Sequence, residues 1–135
     1  MSITISAQDA TTIRTAAYGA VTLLSFAAGS ASPHRVATNG SLSLYSATGA
    51  TGHVLAKKTR DLKFDHRNSA ALADQVLPAL TASVALLKAQ DPAEAENFRA
   101  TVLTAVEAAT RGSKKGVTPP LAAMTGKITA ALSAE

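Results

Sequence analysis

Apolar residues recur at every third or fourth position in four separate stretches of this chain, and each stretch carries its own start signal. That spacing lines one face of an α-helix and matches no β-strand. In the first stretch Ile13, Ala16, Ala17, Ala20, Val21, Leu24, Ala27 and Ala28 follow Ser6-Ala7-Gln8-Asp9. This is a variant capping box, with Asp9 where Glu or Gln is usual. Gly29 stands where a helix of that phase ends, and Gly19, inside it, marks close packing with a neighbouring helix.

The second stripe is Leu72, Val76, Leu80, Val84 and Leu87, thickened by Leu77 and Leu86, with Asn68 or Ser69 as its cap. Pro78 falls inside it, removing one hydrogen bond and crowding the preceding turn. The stripe stays in phase across the proline, so a kinked helix is expected rather than two helices. Asp91-Pro92-Ala93-Glu94 then opens a third helix, with Asp91 as N-cap, Pro92 at the first helical position and Glu94 placed to reach back. Its inward residues are Ala95, Phe98, Val102, Ala105, Val106 and Ala109, and Gly112 stops it. So short a connection predicts an antiparallel hairpin of the second and third helices. Thr118, with Pro119 and Pro120, starts a last helix lined by Leu121, Met124, Ile128, Ala131 and Leu132.

Residues 30–67 break the pattern. Ser32-Pro33 can start a helix, but Asn39-Gly40 between Val36-Ala37-Thr38 and Ser41-Leu42-Ser43-Leu44-Tyr45 is the sequence of a type I′ hairpin. The segment is therefore expected to be either helix with breaks or a small β-hairpin. The whole reads as one all-α domain over residues 1–135, a four- to five-helix bundle with an irregular insertion at about 30–67.

Composition sharpens this. Of 135 residues, 30 are Ala, against 14 Leu, 8 Val, 4 Ile, 3 Phe, 2 Tyr, 2 Met and no Trp. Alanine permits close helix approach but buries little area, so the core is closely packed and thin enough that a second copy is expected to complete it. The Ala-, Thr- and Leu-rich usage also points to GC-rich bacterial coding. Without cysteine there is no disulfide, thiol catalysis or Cys-ligated metal. Residues 16–28, followed by Gly29-Ser30-Ala31, resemble the apolar core of a secretory signal, but Asp9 offsets Arg14 where a positive leader is required. No run reaches the length needed to span a bilayer. A cytoplasmic protein without membrane contact is the expectation.

The net charge of +4 is concentrated locally. One basic segment holds His53, Lys57, Lys58, Arg60, Lys63, His66 and Arg67, with Asp61 and Asp65 as internal partners, and a second holds Arg111, Lys114 and Lys115. The candidate anion- or nucleic-acid-binding residues are Lys57, Lys58, Arg60, Lys63, Arg67, Lys114 and Lys115. They bind a phosphate backbone only if both segments meet on one surface. Phe64 is the single interleaved aromatic, too little for a stacking platform, so nucleic acid is the alternative and not the leading partner.

Signatures of chemistry are sparse. Gly49-Ala50-Thr51-Gly52 has the spacing of a backbone-clamping RNA loop, without that loop's apolar flanks and without the Lys-Ser/Thr of a phosphate-binding loop. His34, His53 and His66 occur at no metal-ligand spacing, and only a site assembled across the fold from His53, His66 and Asp61 would hold an ion. No Gly-x-Ser-x-Gly elbow accompanies the 12 serines. No catalytic residue, metal or cofactor is assigned. The first helix is apolar over a broad arc that includes Tyr18, Val21, Leu23, Leu24 and Phe26, so it is either central to its own bundle or shared between subunits. The leading expectation is a non-enzymatic association module that forms a homodimer. The alternatives are anion binding through the basic segments and a small-molecule or lipid pocket inside the bundle.

Overall fold

A computed structural model describes residues 4–29, 32–57, 62–65 and 67–134. Six helices follow in order: α1 (Ala7–Ala28), α2 (Pro33–Tyr45), α3 (Gly49–Leu55), α4 (Ser69–Gln90), α5 (Pro92–Arg111) and α6 (Pro119–Ser133). The described residues contain no strand. The all-α class is as expected. The helix count is six rather than four to five, because this segment contributes α2 and α3, the helix-with-breaks alternative.

Of the two alternatives for this segment, the hairpin at Asn39-Gly40 gives way to the middle of α2. The reason is a face of Val36, Gly40 and Leu44, spaced every four residues and buried throughout. Gly40 belongs to that face because it has no side chain. A Cβ there would lie 2.7 Å from Val21 of α1 and 3.2 Å from Ala109 of α5, so the glycine lets α2 seat between those two helices. Tertiary contact thereby overrides the local turn preference. The glycines of the next segment also serve packing. Gly49 has a left-handed φ of +75°, and a Cβ on Gly52 would meet the Ala47 carbonyl oxygen at 2.2 Å. The expected loop spacing is thus the first turn of α3.

Helix α1 is central. It contacts all five other helices, and Ile13, Ala16, Ala17, Ala20, Leu23 and Leu24 have no exposed surface. Its broad apolar arc is thereby covered from within the chain, apart from Phe26, which is 42% exposed. Gly19 performs the close approach expected of it, since a Cβ would sit 2.4 Å from Val76 Cγ2 on α4. α4 is one continuous helix through Pro78. Among the described residues it is also the one helix whose length and apolar composition (mean hydropathy 1.6) would let it cross a membrane. Its buried stripe of Leu72, Val76, Leu80, Val84 and Leu87 belongs to the core shared with α1.

The caps explain the boundaries. Ser6 Oγ accepts from the Asp9 N–H at 3.0 Å, Asn68 Oδ1 from the Ala71 N–H at 2.8 Å, and Gly29 ends α1 with φ +56°. Asp91 closes α4 by donating its N–H to Leu87 O at 2.8 Å and opens α5 by accepting from the Ala93 N–H at 3.0 Å. One residue thus joins two helices, and the antiparallel hairpin follows. Gly112 ends α5 for a different reason than the sequence suggests. Its φ of −75° suits any residue, but the Arg35 carbonyl carbon lies 2.7 Å from where its Cβ would be, so the start of α2 rests on bare backbone.

Candidate interaction surfaces

Three directional facts place the chain's charges. The hairpin at Asp91 puts the end of α5 beside the start of α4, and α6 begins there too. The Gln90 side chain bonds the backbone of Thr4 twice, at 2.7 and 2.9 Å, so α1 starts where α4 ends. The Arg35–Gly112 approach brings the start of α2 to the end of α5. One end of the bundle therefore gathers the start of α2, α4 and α6 with the finish of α1 and α5.

Of the seven sequence-predicted cations, Arg67, Lys114 and Lys115 lie at that end, all exposed. Lys63 is exposed but held further along the bundle by Gln75 of α4, whose amide donates to Lys63 O at 2.6 Å and accepts from the Asp65 N–H at 2.9 Å, next to the Val76–Gly19 contact in the middle of α1. Arg67 forms a two-pronged bond with Asp65, through Nε at 3.0 Å and Nη2 at 2.7 Å. Lys57 lies elsewhere. It follows α3, whose Leu55 carbonyl accepts a 2.7 Å bond from Tyr18 in the middle of α1. Lys58 and Arg60, like Asp61 and His66, lie outside the described residues. Arg35, on the first turn of α2, joins the cationic end without having been selected from sequence, because only the fold carries it to Gly112. Arg111 is there as well, bonded to Glu107 one turn back.

The opposite end is acidic, with Asp9, Asp91, Glu94 and Glu96 set against Lys88 and Arg99. Glu94 does not reach back to Asp91 as its spacing suggested, since that N–H already serves α4. Its Oε1 accepts from the Thr51 N–H at 2.7 Å and from Asn97 Nδ2 at 3.0 Å, while Asn97 also donates to Thr48 O at 2.9 Å. The carboxylate thus caps α3, whose own Thr48 provides no side-chain bond. Burial opposes its ionisation, but the bonds from Thr51 and Asn97 outweigh it and hold Glu94 below the usual carboxylate range.

The outer ridge of α5 presents Ala100, Leu103, Thr104, Glu107 and Arg111 to solvent. Leu103 is off the helix's inward stripe and 41% exposed. With Val106, Val117 and Ala122 it lines an apolar groove of about 390 Å³ between α5 and α6, and Val117 is 63% exposed. On the ridge's other flank, Leu42 of α2 is 59% exposed beside Ala108 and Arg111. None of the three was singled out from the sequence; the one available signal was Leu103 standing out of phase with the inward stripe of α5, while Leu42 and Val117 lie in segments of unassigned or loop structure.

Among the described residues no three His, Asp or Glu side chains gather as metal ligands. His34 and His53 are both exposed, on different helices. No family model, curated protein or solved structure matches the chain.

Proposed function

We propose that the protein is a non-enzymatic association module whose partner is a second copy, docked through the outer ridge of α5 and its flanks on α2 and α6. The observation that carries this reading is Leu103, an exposed leucine set in an apolar groove on a ridge whose two charges cancel. Leu42, Leu103 and Val117 are three of the five large apolar side chains exposed among the described residues, and all three border this ridge. The charges on it, Glu107 and Arg111, are opposite in sign and four residues apart. A twofold axis perpendicular to α5 between them sets each Glu107 opposite the second copy's Arg111, which makes the surface self-complementary.

Light scattering on the purified chain at about 100 µM, where even a modest dimer is populated, tests this. The expected mass is twice 13.7 kDa, returning to 13.7 kDa in Leu103→Glu with an unchanged helical circular-dichroism spectrum. A native chain that stays monomeric at that concentration overturns the proposal.

A further inference from the structure

We infer that the cationic end of the bundle is a docking surface for an anionic lipid surface. Arg35, Arg67, Arg111, Lys114 and Lys115 converge there, against Asp65, Asp74 and Glu107 as the carboxylates of the described residues in the same region. Two of those carboxylates are bonded to arginines of the same end, Asp65 to Arg67 and Glu107 to Arg111. Among the described residues the surface is therefore net positive, while the opposite end carries the acidic cluster around Glu94, so their charges are polarised along the bundle. Polarisation of this kind orients a protein at a charged plane and repels its far end.

The second observation separates a lipid surface from a polynucleotide. Phe26, 42% exposed, lies in the last turn of α1, and Val117, 63% exposed, immediately precedes the Thr118 cap of α6. Both belong to the same end as the cations. An aromatic and a branched apolar side chain amid Lys and Arg match the boundary of headgroups and acyl chains, where the cations meet lipid phosphates and the apolar groups enter below them. Stacking on nucleic-acid bases calls for several aromatics, and Phe26 is the exposed one at this end. The contact is peripheral, made by one end of a folded bundle, and so differs from a bilayer span. It does not rest on Leu103, which lies mid-way along α5, although Arg111 and Val117 border both surfaces.

Vesicle co-sedimentation of the whole chain tests the inference, with phosphatidylcholine vesicles compared with vesicles containing about 30% phosphatidylserine. The expected result is at least a roughly tenfold preference for the acidic vesicles at about 50 mM salt, fading as salt rises. Lys114→Glu with Lys115→Glu abolishes that preference. Phe26→Ser reduces binding several-fold while the folded spectrum is unchanged. Leu103→Glu retains the preference even where it dissolves the dimer, so the two readings fail separately. Equal partition onto both vesicles overturns the inference. So does tighter binding to duplex DNA that Phe26→Ser leaves untouched, which would reassign the surface to a polynucleotide.

Discussion

The Glu94 carboxylate on α5 caps α3 by accepting the Thr51 N–H at 2.7 Å, across 43 residues of sequence. This bond and the paired one from Asn97 hold the short helix against the bundle at its N-terminal side. Removing a cap of this kind costs about 1 kcal/mol, so Glu94→Ala is expected to lower the midpoint of thermal unfolding by about 4 °C. The ionised form is the better acceptor, and folding depresses the Glu94 pKa below its ordinary 4.5. The unfolded chain therefore binds the proton more readily, and this part of the stability is present above the unfolded pKa and lost as pH falls through the folded one. Denaturant titrations at neutral and acid pH check this: Glu94→Gln should lose less stability on acidification than the native chain.

Tyr18 secures the other end of α3. Its hydroxyl donates to Leu55 O at 2.7 Å, and its ring lies 6.0 Å from that of Tyr45. Burial, then the neighbouring Tyr45, raises the Tyr18 pKa well above the ordinary 10.0. A raised folded pKa means that its contribution is complete below the unfolded value and is lost as pH rises beyond it. Stability should accordingly fall above about pH 10, and this alkaline loss should shrink in Tyr18→Phe. At neutral pH Tyr18→Phe should cost about 1–2 kcal/mol, because the Leu55 carbonyl is left without its partner. Urea unfolding measures both.

Two glycines should respond in opposite directions to alanine. Gly40→Ala brings a methyl within 2.7 Å of Val21, and overpacking of that kind costs about 1–3 kcal/mol, more than the helix preference it gains. Gly126, in α6, has nothing within 4 Å of its absent Cβ, so Gly126→Ala should stabilise by about 0.5–1 kcal/mol. Thermal melts of the two variants side by side check this. Equal shifts would mean that α2 does not seat between α1 and α5 as described.

The proposed pairing through α5 has a charge signature. Glu107→Arg alone puts like charges across the twofold axis and should weaken association about tenfold. Adding Arg111→Glu restores opposite signs and should recover most of the loss, as read by sedimentation equilibrium.

Helices α1, α4, α5 and α6 and most of their boundaries were legible in the sequence, because a stripe at helical spacing and a polar cap act over a few residues. Ser6, Asn68 and Asp91 make the cap bonds that their positions suggest. Between residues 30 and 67 the sequence left helix and hairpin open, because what decides α2 is the room that Gly40 leaves for Val21 and Ala109, and a sequence does not record which side chain will stand opposite a glycine. The same holds for charge. Lys114, Lys115 and Arg67 are apparent as basic residues, but only the antiparallel course of α4 and α5 sets them at one end, and only the Gly112 contact adds Arg35. Glu94 shows the division within one residue: local spacing marked it as a capping group, and competition for the Asp91 N–H, already bonded to Leu87, decided which helix it caps.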